Sequence, residues 1–141
     1  VYPSRHLEEP FDGILYAAVV SVGFATLENF YYLDQFGISI VAARTVITIP
    51  AHAFMSVPMG YFVAKSRLEL EACDETRFSF YLPMITVFQA WIISAFLHGL
   101  YDFFLSLKME REAYLQIFVM GGISFWLGRN ALRVSRKKIE G

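Results

Sequence analysis

The chain has 141 residues, of which 56% are hydrophobic, 17% aromatic and 18% charged, with a net charge of −1. That composition is too apolar for an ordinary soluble domain and places the chain among membrane proteins. It gives no electrostatic ground for a nucleic-acid partner, and the single cysteine, Cys73, excludes an internal disulfide and a cysteine-rich metal site.

A bilayer core takes about 20 mostly apolar residues in a helix. Four stretches meet that length: residues 11–33, 41–64, 81–107 and 113–134. The expected fold class is therefore all-α, a polytopic membrane helical bundle of about four transmembrane helices forming a single domain over residues 1–141. The fourth stretch is the weakest, because Arg129 and Arg133 intrude near its end; both can snorkel to the interface. Residues 34–40 form a short link, so the first two spans should be antiparallel neighbours. Residues 65–80 form the longest and most polar link. The chain begins at Val1 with no signal-peptide pattern, and is expected to be a fragment that lacks upstream helices.

Lys and Arg set the orientation. Arg5, Lys65, Arg67, Arg77, Arg129, Arg133, Arg136, Lys137 and Lys138 fall on the N-terminal side, and Arg44, Lys108 and Arg111 on the other. The N-terminus, the Cys73 loop and the basic tail are thus expected in the cytoplasm, with Cys73 reduced. Tyr31, Tyr32, Tyr81 and Tyr101 read most simply as interfacial belt residues, and His6 should lie outside the membrane.

Charged groups inside a span cost about 2.5–3.5 kcal/mol each on insertion scales, so each needs a reason. From Gly13 to Leu27 there is no charged residue; then come Glu28 and Asn29. The second span carries His52, and the third carries His98 and Asp102, one turn apart on one face. At 1.5 Å per residue, Glu28 and Asp102 lie roughly 8 Å inside the outer end of their spans, His98 roughly 14 Å and His52 roughly 16 Å. All fall in the outer half of the membrane. Small or polar residues line their faces: Ala17, Ser21 and Ala25; Thr45, Thr48, Ser56 and Gly60; Ser94 and Ala95. Such residues let membrane helices approach closely. Pro50 and Pro58 flank His52 and free backbone carbonyls.

Any one of these polar groups could be interhelical glue. Two histidines and two carboxylates at similar depth on three helices point instead to a shared hydrated pocket. Carboxylate with imidazole can activate water and stabilise an oxyanion. The same set, His52, His98 and Glu28, offers the ligand types zinc takes, although no HExxH helix is present. A proton or ion conduit, or a non-catalytic scaffold for membrane helices, could use the same residues. A conduit would space polar groups through the whole bilayer, and the inner halves of these spans are nearly free of them.

Three stretches together, "EPFDGILYAAVVSVGFATLENFYYL", "AHAFMSVPMGYF" and "HGLYDF", resemble the PrsW family of intramembrane proteases, distant relatives of the CAAX-processing and Abi-type membrane peptidases. The resemblance implies an intramembrane endopeptidase of the bacterial inner (plasma) membrane. Its implied substrate is a membrane-anchored anti-sigma factor, cut at a first site near the outer face in envelope-stress signalling. It places the family's glutamate–asparagine motif on Glu28 and Asn29, its first histidine motif on His52 with Phe54 and Gly60, and its second on His98, Gly99, Tyr101 and Asp102. A family motif of the type Glu-Glu-x-x-Lys has no counterpart here; Glu8 and Glu9 precede Pro10 in the entry to the first span and are not read as that pair. The expected catalytic set is Glu28, Asn29, His52, His98 and Asp102. His52 and His98 would hold zinc or polarise the scissile carbonyl, Glu28 would orient water or a histidine, Asn29 would donate to the oxyanion, and Asp102 would hold the His98 tautomer. A metal mechanism and a glutamate mechanism remain alternatives at this point.

Overall fold

A computed structural model describes residues 7–72 and 77–140. His6, Arg5 and Cys73 lie outside the described residues, as do the side chains of Arg77, Arg136, Lys137 and Lys138. Four helices follow in order: α1 Pro10–Phe36, α2 Ile38–Ala72, α3 Arg77–Ser106 and α4 Glu110–Glu140. No strand occurs among the described residues.

The helices run past the apolar stretches that announce them. Helix α1 starts one residue early because Pro10 takes the first helical position, where its missing N–H costs nothing. The Asp12 carboxylate accepts hydrogen bonds from the Glu8 and Glu9 N–H groups at 3.0 and 2.9 Å, capping that end. The expected link at residues 34–40 shrinks to Gly37, whose φ of 79° suits glycine and lets α2 begin at once. Helix α2 continues beyond the membrane-length stretch through Lys65 and Glu69, an exposed i,i+4 pair at 3.7 Å. Apolar counting finds the part of a helix that lies in lipid, not the part that projects from it.

Among the described residues, three helices are long and apolar enough to cross a membrane: Pro10–Phe36, Ile38–Leu70 and Met84–Ser106. Helix α4 is long enough, but Glu110, Arg111 and Glu112 at its start and Arg129 and Arg133 farther on leave it outside that set. Large apolar side chains such as Val19, Val20, Leu27, Phe96 and Phe118 point outward, the distribution expected of helices solvated by lipid.

Helix α2 is the spine. It packs most extensively on α1, then on α3 and α4, and α4 also touches both α1 and α3. Gly13 and Gly60 set the α1–α2 crossing. A Cβ added at Gly60 would collide with the Gly13 carbonyl oxygen and come within 2.7 Å of the Ala17 Cβ. Two apolar clusters flank this contact. One joins Ile14, Val57, Tyr61, Leu127 and Ala131; the other joins Ala51, Met55, Tyr101, Ala113 and Met120. Tyr101 is thus a core residue, only 2% exposed, and not part of an interfacial belt. Tyr31 and Tyr81 are exposed, at 63% and 59%.

Candidate metal centre

His52 sits on α2 and is 3% exposed. Its Nδ1 lies 2.8 Å from the Thr48 carbonyl one turn back. A carbonyl oxygen only accepts, so Nδ1 carries a proton and Nε2 is the nitrogen left to bind a cation. That Nε2 is buried and has no hydrogen-bond partner. On α1, the nearer Glu28 oxygen, Oε2, stands 3.6 Å from it. A carboxylate oxygen and an imidazole lone pair facing each other at that distance repel, unless a proton or a metal ion lies between them.

The third member comes from α3. The His98 ring centroid is 4.7 Å from that of His52, with the planes at 64°. His98 Nε2 lies 3.3 Å from Asp102 Oδ2 at i+4, an arrangement that turns the imidazole and leaves its other nitrogen free to act as a ligand. One donor atom each from Glu28, His52 and His98 fall within 4.8 Å of one another. Two histidines and one carboxylate with a further position open are a ligand set that catalytic zinc uses. The donor types, the orphaned Nε2 and the facing lone pairs all fit a divalent cation.

Charge balance comes from a residue that sequence reading counted only as a flanking basic group. Arg44 Nη2 donates to Glu28 Oε2 at 2.8 Å, and Arg44 Nε donates to Asn29 Oδ1 at 3.3 Å. Its guanidinium carbon stands 3.6 Å above the Tyr32 ring, a stacked geometry that favours arginine over lysine. The signal was present in the spacing: residues 44, 48 and 52 follow one another at four-residue steps, on one helical face.

The structure brings Glu28, His52 and His98 together and puts Asp102 behind His98. Asn29 is placed differently from the expected oxyanion donor. It is 6% exposed, and its amide nitrogen donates to Thr45 Oγ1 at 3.3 Å while its oxygen receives Arg44. Gly60 forms the helix crossing, and Phe54 reaches α4, where its carbonyl oxygen accepts from Ser124 at 2.8 Å.

Fold and site together define a multi-pass helical membrane protein with a two-histidine, one-carboxylate centre between its first three helices. The chain belongs to the PrsW family of intramembrane metalloproteases, whose family model matches residues 1–127. It is 35% identical over 120 residues to a Protease PrsW of Geobacillus kaustophilus, a match covering 85% of this chain and 49% of that protein. It is 33% identical over 136 residues to a Protease PrsW of Bacillus subtilis, covering 96% of this chain and 57% of the relative. A Protease PrsW of Clostridioides difficile is 33% identical over 117 residues, covering 80% and 46%. The chain thus spans about half the length of the curated relatives it matches. No solved structure matches it.

Proposed function

We propose that this chain carries the metal-binding core of an intramembrane protease that hydrolyses peptide bonds of membrane-anchored proteins, with zinc held by Glu28, His52 and His98. The observation that carries the reading is the buried, unpartnered His52 Nε2 facing the Glu28 carboxylate at 3.6 Å. Without a cation that arrangement is costly; with one it is a binding site. Bound zinc would supply Lewis acidity, polarising a carbonyl and lowering the pKa of water.

The chain's own residues do the rest. The Thr48 carbonyl fixes the His52 tautomer and Asp102 fixes that of His98. Arg44 holds the Glu28 side chain, and Asn29 in turn holds Arg44. Hydrolysis adds water across the peptide bond: the water oxygen bonds the carbonyl carbon, the C–N bond breaks, and the nitrogen leaves with a proton. Apolar helix faces around the site limit the water that reaches it. The family resemblance supports a finer reading, first-site cleavage of an anti-sigma factor near the outer face of the bacterial plasma membrane. The distribution of Lys and Arg supports cytoplasmic placement of this chain's N-terminus and tail.

The test is proteolysis by the full-length gene product, reconstituted with a single-span substrate, with and without a strong chelator. Glu28→Gln, His52→Ala and His98→Ala are expected to abolish cleavage and to lose bound zinc by elemental analysis. The chelator should stop the wild type, and added zinc should restore it. Loss in the variants with indifference to chelator would replace the metal role with a glutamate mechanism. Cleavage surviving all three substitutions would mean that the cluster is structural glue.

A further inference from the structure

The backbones of α1 and α3 stand apart among the described residues, and side chains such as Phe24 and His98 meet across the gap. The opening is a cleft of about 480 Å³ whose lining includes Ser21 and Phe24 of α1, His52 and Ser56 of α2, and Ser94 and His98 of α3. The Phe24 ring reaches across it, with its centroid 6.1 Å from that of His52 and 6.4 Å from that of His98. The cleft thus runs between α1 and α3 and ends at the histidine pair. His52, 97% buried by its 3% exposure and unpartnered at Nε2, forms part of its wall.

The serines of this wall share one chemical property. Ser21 Oγ donates its proton to the His52 carbonyl at 2.9 Å, and Ser94 Oγ donates to the Met55 carbonyl at 3.1 Å. Ser56 Oγ donates to the Ala53 carbonyl at 2.8 Å. A hydroxyl has one proton and two lone pairs. With the proton committed to the backbone of α2, each oxygen is left to the cleft as an acceptor.

A membrane segment about to be cut needs acceptors. In a helix each N–H is bonded to the carbonyl four residues back, and the scissile carbonyl is exposed only when that turn opens. Opening strands N–H groups where there is no water to receive them. We propose that the α1–α3 cleft holds a short unwound stretch of the substrate's membrane segment, with Ser21 and Ser94 accepting its freed N–H groups. The adjoining carbonyl then lies against the His52–His98 pair. The assignment rests on the protease reading above, and Ser21 and Ser94 are positioning residues in it. A lipid acyl chain could fill the same volume but has no N–H to offer.

The test uses the full-length protein in liposomes and a synthetic single-span substrate. A series of ester replacements removes one backbone N–H at a time on either side of the cut. Ser21→Ala and Ser94→Ala are each expected to lower kcat/KM on the all-amide substrate roughly three- to tenfold, the range of one net hydrogen bond. Wild type should lose a similar factor on one or two esters of the series. On those esters the matching serine variant should lose nothing further, a non-additivity that a merely structural role would not produce. Serine variants that slow every substrate equally overturn the proposal, as does an ester series that wild type cleaves uniformly. Variants matching wild type throughout overturn it in favour of lipid in the cleft. A wild type that cuts no amide substrate overturns the protease reading, and this assignment with it.

Discussion

At Glu28 one carboxylate oxygen is shared between a guanidinium nitrogen at 2.8 Å and an imidazole nitrogen at 3.6 Å. The guanidinium fixes the direction of the carboxylate, so the side chain meets a cation without first being ordered. Arg44 is itself fixed by the Tyr32 ring and by Asn29. Arg44→Ala should therefore destabilise the protein by about 1.5–3 kcal/mol, the range for hydrogen bonds to charged groups. It should also weaken zinc binding, measured by competition with a chromophoric chelator. Arg44→Lys restores the charge but neither the fork nor the stacking, and should recover only part of both losses. Zinc affinity unchanged in Arg44→Ala would show that the arginine serves the fold alone. At this scale the sequence was informative where a charged side chain had no membrane interface to explain it, as at Glu28, His52 and His98. Arg44 was easy to pass over despite its four-residue steps to Thr48 and His52, because an arginine near the end of a span has a sufficient account in snorkelling. Asn29 was legible as unusual, but its partners were not: an amide in an apolar run says that a hydrogen bond exists, not which helix supplies it.

Helix α2 carries two prolines and stays helical throughout Ile38–Ala72. Pro58 has no N–H, so the carbonyl of Phe54, four residues back, loses its helical donor. Ser124 of α4 supplies the missing donor at 2.8 Å. The proline thus sends a hydrogen bond out of α2 and ties α4 to the spine two residues from His52. Ser124→Ala should cost about 1–3 kcal/mol, the penalty for a buried carbonyl left unpaired. Pro58→Ala gives residue 58 an N–H that can close the helical bond, so Ser124→Ala made in that background should cost much less. The comparison of four unfolding curves in micelles isolates the coupling; additive losses would mean that the Ser124 bond does not answer to Pro58. The four helices themselves were readable, since each contains a long apolar run. Their ends were not, because Gly37 alone makes the α1–α2 turn and polar residues such as Lys65 and Glu69 extend α2 at little cost. Tyr101 was misplaced for a related reason. An aromatic residue near a span end suits both an interface and a core, and the packing against Ala51 and Ala113 decides.

The whole molecule is asymmetric from end to end. Lys65 and Glu69 project where α2 leaves the bundle, while the tight turns at Gly37 and Lys108 close the other end. The ionisable cluster belongs to the end with the tight turns, since Glu28 and Arg44 flank Gly37 within three helical turns. Small residues announced which helix faces would pack, but apolar residues could not announce the α1–α3 opening, because a face against lipid and a face against a helix have the same composition. Orientation is the property that decides which leaflet holds the cut. The orientation proposed from Lys and Arg puts the Glu69 end in the cytoplasm and the Lys108 turn outside. In a Cys73→Ser background, Glu69→Cys should react with a membrane-impermeant maleimide only when the cytoplasmic face is presented, in inverted vesicles. Lys108→Cys should react only in intact cells stripped of their outer layers. Both positions are exposed, so failure to label would not arise from burial. The reverse pattern would put the Glu28–His52–His98 centre near the cytoplasmic face. A protease so oriented would not make a first cut near the outer face, and an anti-sigma factor cleaved there would cease to be its expected substrate.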